Sequence, residues 1–286
     1  VRFGVTYGNS GPGAHPEHAV ALARLTEEAG FDSLWAVEHA VIPAGFESRY
    51  PYSRDGRLPG GEDVPIADPL VWLAFVAAAT ARVRLATGIL ILPQRNPVLL
   101  AKETASLDVL SGGRLVLGVG VGWLREEFDA LGVPWPERGA RTEEYVAALR
   151  LLWNEPEPSF DGRFVAFDKA KSYPKPVQPG GVPVVVGGHS DAAARRAGRI
   201  GDGFFPAVAD PDEVARLVGI ARASASEAGR DPDDLEITCG TPRDPDGIAR
   251  LADLGVARLT TSGVGDLDGV RAKFARFRER VMDRVG

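Results

Sequence analysis

Short apolar runs alternate with helix-period segments along the chain, and glycine stands at most of the helix exits. Eight runs read as strands: Phe3–Tyr7, Ser33–Val37, Arg84–Leu90, Leu115–Val119, Val184–Val186, Gly203–Pro206, Glu236–Cys239 and Arg258–Thr261. They are rich in Val, Ile and Leu and mostly continuous, the pattern of strands covered on both faces. Between them, Val214, Leu217, Val218 and Ala221 recur at helical spacing behind Asp210-Pro211, an N-cap with proline at the first helical position. Val270, Phe274, Phe277 and Val281 make a second stripe, and Tyr145, Leu149 and Leu152 a third. Glu28-Ala29-Gly30, Ala228-Gly229, Ile200-Gly201 and Leu254-Gly255 read as helix exits, each with its glycine expected in the left-handed region. Eight βα repeats over 286 residues predict an α/β fold, a (β/α)8 TIM barrel in one domain spanning 1–286.

Two stretches break this rhythm. Val41–Ile66, rich in Pro, Gly, Arg and Tyr, joins the second strand to its helix. Asn154–Gly181 precedes the fifth strand and contains Phe160-Asp161-Gly162-Arg163-Phe164, a hairpin expected around Asp-Gly. Loops longer than about 12–15 residues commonly carry function. Both are therefore expected to cover the C-terminal mouth of the barrel, where barrel active sites sit; plain surface excursions are the alternative.

Composition narrows the partners. Apolar residues make up 44% and charged residues 25%, ordinary for a globular chain. A net charge of −6 argues against a nucleic-acid binder, which needs a basic face. The single Cys239 excludes an internal disulfide framework and a Cys-based zinc site, and fits a reducing, cytoplasmic setting. The chain opens on a strand rather than a leader. The longest apolar stretch, Leu70–Ala81, is shorter than the ~20 residues needed to span a bilayer, so no membrane association is expected.

Three local patterns carry chemistry. Leu117-Gly118-Val119-Gly120-Val121-Gly122-Trp123 misses the dinucleotide fingerprint, because Trp123 stands where the third glycine belongs. Its glycines either let a planar ligand approach the backbone or merely end a strand. Val185-Val186-Gly187-Gly188-His189-Ser190-Asp191 ends a strand in two glycines before a helix that Ser190 or Asp191 caps, a geometry that binds a phosphate or makes a tight turn. Ser190 also lies one residue from a G-x-S-x-G hydrolase pattern, broken by Ala192. Glu38-His39 closes the second strand, where an imidazole that titrates near neutrality serves as acid or base, or is structural. His15 and His18 lack a ligand cluster, and no metal is expected.

In their order along the chain these segments resemble the luciferase-like monooxygenase superfamily, in particular its deazaflavin (coenzyme F-420) dependent oxidoreductases. The resemblance runs through Gly30-Phe31-Asp32-Ser33-Leu34-Trp35, Thr87-Gly88-Ile89-Leu90, Arg95-Asn96-Pro97, Ser111-Gly112-Gly113-Arg114, Glu126-Glu127-Phe128, Arg138-Gly139, Pro174-Lys175-Pro176 and Gly201-Asp202-Gly203. It implies coenzyme F-420, with FMN as the alternative, bound at the barrel mouth by Gly88, Ile89, Val121, Gly122, Gly187, Gly188, His189 and Ser190. It implies a cis Gly88-Ile89 peptide. It assigns His39 to proton transfer or to contact with cofactor or substrate. Beside it, Glu38 orients His39 or lines the pocket, and Tyr7, Trp35 and Trp123 either flank ring or substrate or belong to the core. Sugar-phosphate dehydrogenases of this kind carry Glu where this chain has Trp123, so an apolar pocket is expected and glucose 6-phosphate oxidation is not.

The implied activity is hydride exchange between the cofactor and a small-molecule substrate. Its alternatives are an FMN-dependent monooxygenase and a barrel that binds the cofactor without catalysis. Dimers are common among the resembling proteins, so a homodimer is expected. Only Lys102, Lys169, Lys171, Lys175 and Lys273 are lysines, and they and nearby arginines are candidates for a basic rim around an acidic cofactor tail.

Overall fold

The computed structural model describes residues 1–53 and 55–285. Eight strands run parallel: β1 (Arg2–Thr6), β2 (Ser33–Ala36), β3 (Arg84–Thr87), β4 (Leu115–Gly120), β5 (Val184–Gly187), β6 (Gly203–Phe205), β7 (Glu236–Gly240) and β8 (Val256–Ser262). Each pairs with its sequence neighbours, and β8 returns to β1 with Arg258 opposite Arg2, closing a TIM barrel. All eight expected strands are present. The third ends earlier than its apolar run, at Thr87, and Leu90–Ile91 resumes as a separate two-residue strand on Val119 and Gly120.

The helices around it are α1 (Pro16–Glu28), α2 (Pro69–Ala77), α3 (Pro97–Ser111), α4 (Arg125–Ala130), α5 (Arg138–Asn154), α6 (Asp191–Ile200), α7 (Pro211–Glu227), α8 (Pro245–Asp253) and α9 (Leu267–Phe277). Asp68, Asn96 and Asp210 cap α2, α3 and α7 by accepting two backbone N–H groups each, and each is followed by proline. Gly30, Gly229 and Gly255 leave their helices with φ of 83°, 72° and 85°, as expected. Gly201 does not: it is extended, with φ −86° and ψ 147°. A Cβ there would lie 2.7 Å from the Gly203 carbonyl oxygen, so close backbone approach, not handedness, requires glycine.

The barrel interior is layered. Near the strand starts Arg258, 1% exposed, donates to Asp32 at 2.7 Å, to Thr238 at 3.1 Å and to Glu236. Above it Trp35 packs with Ala86, Val116, Val185 and Phe205, its indole N–H donated to Ser33 at 2.9 Å. Phe205 meets Trp35 edge-on and also lines the cavity above.

The two long segments go to different places. Val41–Ile66 lies over the strand ends, as expected; its Arg54 is outside the described residues. Asn154–Gly181 contributes no residue to the cavity at the mouth. Val177 and Gln178 donate to Asp108, and Gln178 also to the carbonyl of Leu115 at the start of β4, which holds the end of the segment at the opposite end of the barrel, while Arg163 pairs with Glu137 just before α5. Its hairpin pairs Phe160–Asp161 with Ala166–Phe167, so the turn is Gly162–Val165 rather than Asp161-Gly162. The Glu144 carboxylate explains the wider turn by accepting the N–H groups of Arg163, Phe164 and Val165. Among the described residues, no helix is long and apolar enough to cross a membrane.

Candidate active site

A cavity of about 1840 Å³ opens above Phe205 at the C-terminal ends of the strands. Tyr7, Glu38, His39, Gly88, Ile89, Val121, Gly122, Trp123, Gly187, Gly188, His189 and Ser190 all border it. Trp35 does not. Its side chain is fully buried one layer below, so of its two readings the pocket one fails and the core one holds, with Ser33 and Phe205 fixing it there.

The strand ends are shaped around Ile89. The Gly88–Ile89 peptide is cis. A Cβ on Gly120 would fall 2.3 Å from Ile89 Cδ1, and one on Gly187 2.4 Å from Ile89 Cγ2. A Cβ on Gly122 would meet Phe128 and Ile91. Here the glycines do more than end strands: they let one isoleucine side chain fill the space between β4 and β5, and leave bare backbone toward the cavity.

Glu38 and His39 diverge. Glu38 turns away from the imidazole, takes a two-pronged ion pair from Arg95 and accepts the Ile91 N–H; Arg95 also reaches Asp68 at 2.5 Å. Burial pushes the Glu38 carboxyl up against the pull of Arg95. Glu38 thus holds the segment after the cis peptide, and the expectation that it orients His39 fails because its oxygens are committed there. The imidazole partner is Glu127 on α4: His39 Nδ1 lies 3.0 Å from Glu127 Oε2, and Glu127 Oε1 accepts the Ala40 N–H at 2.6 Å. Both side chains are buried, Glu127 completely. No spacing rule connects residues so far apart in sequence; only the Glu126-Glu127 pair beside a glycine-rich strand end hinted at it.

Aromatic rings from Val41–Ile66 complete the wall. Trp123 is edge-on to His39 at 5.5 Å, to Phe46 at 5.7 Å and to Tyr50 at 5.2 Å. Burial raises the Tyr50 phenol and pushes Tyr52 up to about 12, so both remain neutral donors near pH 7. Tyr7, at the end of β1, adopts φ 61°, rare for a bulky residue, and stands half-exposed beside them.

The far wall is the start of α6. Ser190 caps it, its Oγ accepting the Ala193 N–H at 3.2 Å, a structural task that leaves no serine–base pair. His189, Arg138 and Arg196 line the same cavity; His189 Nδ1 and Arg138 Nε are buried without a hydrogen-bond partner, while Arg196 Nε lies 3.3 Å from Glu143. Arg138 is lowered first by burial and then by the neighbouring Arg196 charge, the signature of two cations held together. Neither arginine was legible as a site residue. Of the five lysines, Lys273 borders the cavity, whereas Lys171 pairs with Glu157 and Lys175 donates to the Leu152 and Glu155 carbonyls. The cations that border the cavity include Arg243, Lys273 and Arg276, against one lining carboxylate, Glu38.

Comparison with known proteins agrees with this architecture. Residues 2–243 match the luciferase-like monooxygenase family model. The chain belongs to that family. It is 35% identical over 242 residues to a coenzyme F-420-dependent glucose-6-phosphate dehydrogenase from Nakamurella multipartita, covering 82% of this chain and 65% of that one. A monooxygenase from Streptomyces bottropensis superposes with a TM-score of 0.78 at 24% identity, over all of both chains. The coenzyme F-420-dependent tetrahydromethanopterin reductase of Methanopyrus kandleri does so with 0.78 at 17%, over 100% of this chain and 99% of that one. The luciferase-like chain is thus an oxidoreductase in class, with both deazaflavin enzymes and monooxygenases among its likenesses.

Proposed function

We propose that this luciferase-like protein exchanges a hydride between coenzyme F-420 and a small organic substrate at the barrel mouth, with His39 as acid or base. The observation that carries the reading is the 35% and 32% identity to two coenzyme F-420-dependent glucose-6-phosphate dehydrogenases. The cavity residues fit such a group: bare backbone at Gly88, Gly122 and Gly187 for a planar ring, and the cations Arg138 and Arg196 beside His189 in the wall for an anion. When bound, the deazaflavin supplies the redox chemistry.

The chain's own residues supply the rest. Gly187, Gly188 and the first turn of α6 receive the phosphate, with His189 and Ser190 shaping the turn. Ile89, Val121 and Gly122 position the ring. His39 gives or takes the substrate proton through Nε2. Tyr7 and Trp123 wall a substrate that is apolar around its reacting carbon; Trp123, in place of an acid, supports exclusion of glucose 6-phosphate.

Titration of the purified protein with coenzyme F-420 and, separately, FMN, followed by fluorescence, tests this. Saturable micromolar binding of coenzyme F-420 is expected, and no binding of either cofactor overturns the reading. The similarity to the Streptomyces monooxygenase favours a second reading, FMN-dependent oxygenation. Oxygen uptake with reduced FMN separates the two. Tight binding without turnover across a panel of acceptors marks a non-catalytic carrier.

A further inference from the structure

Glu127 lies on a short helix, far in sequence from His39, yet contacts both its ring and the peptide that follows it. Oε2 meets His39 Nδ1 at 3.0 Å, and Oε1 takes the Ala40 N–H at 2.6 Å, with the Val41 N–H at 3.4 Å. The Glu127 side chain is fully buried and that of His39 is 8% exposed. A buried carboxylate is tolerated where several donors converge on it. Two backbone N–H groups can act only as donors, so they fix Oε1 as an acceptor. The third partner, the imidazole, completes the set by donating from Nδ1.

We infer that Glu127 is a positioning residue that holds His39 as the Nδ1–H tautomer and leaves Nε2 as the unprotonated nitrogen facing the cavity. The hydrogen bond made by one ring nitrogen decides the state of the other. A carboxylate behind the ring also stabilises the imidazolium formed when Nε2 accepts a proton, and Trp123, edge-on to the imidazole, blocks its rotation. His39 then begins as a base toward a substrate hydroxyl and, once protonated, returns as the acid toward a carbonyl. The kinetic part of this inference rests on the proposed hydride exchange; the tautomer does not.

The test reads the tautomer directly. Uniformly 15N-histidine-labelled protein contains four imidazoles, and His39→Gln assigns the one of interest by its disappearance from two-bond 1H–15N spectra. Wild type at pH 8 is expected to show His39 protonated at Nδ1 and bare at Nε2. In Glu127→Gln the amide oxygen stays on Ala40 N–H and the amide NH2 faces Nδ1, so the proton is expected to move to Nε2. That variant should bind coenzyme F-420 within about 2-fold of wild type yet lose roughly 10²-fold or more in kcat, the scale of a misplaced acid–base group. Glu127→Asp, which keeps the carboxylate, should restore the Nδ1–H signal. A wild-type Nε2–H tautomer, or the same tautomer in wild type and Glu127→Gln, overturns the inference. If neither cofactor binds but the tautomer switches as described, the positioning role stands and the proposed activity falls.

Discussion

Tyr52, carried by the loop after β2, meets His189 at the start of α6 edge to face, with ring centroids 4.9 Å apart. The contact closes a row of rings that runs from His39 through Trp123, Tyr50 and Tyr52 to His189, spanning the mouth from the end of β2 to the start of α6. An edge-to-face pair contributes ~0.5–1.5 kcal/mol beyond burial. Tyr52→Ala should therefore weaken coenzyme F-420 binding roughly 2- to 10-fold, measured by fluorescence titration, because the loop no longer braces His189. Tyr52→Phe keeps the ring and should stay near wild type. Equal loss in both variants would move the effect from the ring to the hydroxyl.

The same loop is tied down by α4. Glu126 Oε1 accepts the N–H groups of Glu47 at 2.9 Å and Ser48 at 3.1 Å, while Glu127, its neighbour, takes those of Ala40 and Val41. The Ser48 hydroxyl, then the backbone N–H groups, outweigh desolvation and hold the Glu126 carboxyl down at about 2, against 4.5 ordinarily. A carboxyl depressed in the folded state stabilises above its ordinary value, and that contribution fades as pH falls through the folded one. Exchange at the Glu47 and Ser48 amides, corrected for intrinsic rate, should thus stay slow from pH 7 to about 4.5 and quicken toward pH 2. Glu126→Gln should exchange quickly already at pH 7. Slow exchange in that variant would show that another contact secures the loop.

The barrel was legible because each strand is a dense apolar run that only two covered faces explain, and because Asp210-Pro211 and the exits at Gly30 and Gly229 bracket their helices by local chemistry. The cavity-facing glycines were legible for the same reason: strand ends lie where a barrel puts them. What escaped was pairing between distant positions. Glu127 reaches His39 only because α4 folds back over the end of β2, and Arg138 nears Arg196 only because α5 and α6 start side by side. Trp35 stayed open between pocket and core because an inward direction does not say which interior layer a residue occupies; one layer lower, the same direction is core.

Steric fit around Ile89 gives a sharp mutational prediction. A Cβ on Gly187 would sit 2.4 Å from Ile89 Cγ2, a branch fixed to the Cβ and unable to swing aside like a chain end. Gly187→Ala should cost ~1–3 kcal/mol of stability, read as a lower denaturation midpoint, with cofactor binding reduced as well. Adding Ile89→Ala opens the space and should recover much of the loss. If the double variant is no better than the single one, the clash with Ile89 is not the cause, and the bare backbone at Gly187 matters in its own right.

Arg138 and Arg196 make the last prediction, and it separates phosphate from ring. Two neighbouring guanidinium groups, Arg196 buried and Arg138 half-buried, line the cavity beside the start of α6. Only Arg196 has a carboxylate near its Nε, Glu143 at 3.3 Å, while Arg138 stacks on Trp135 at 3.7 Å. Like charges so placed favour an anion between them, and a hydrogen bond to a charged group contributes ~1.5–3 kcal/mol. Arg138→Ala should therefore weaken FMN binding about 10- to 100-fold. Riboflavin, which carries the same ring without the phosphate, should bind wild type and variant alike. The wild-type preference for FMN over riboflavin should also shrink with added salt, as it does for charge-assisted contacts that ions screen. Equal losses for FMN and riboflavin would assign Arg138 to the ring wall, and no loss for either would leave the anion to Arg196 and the α6 amides.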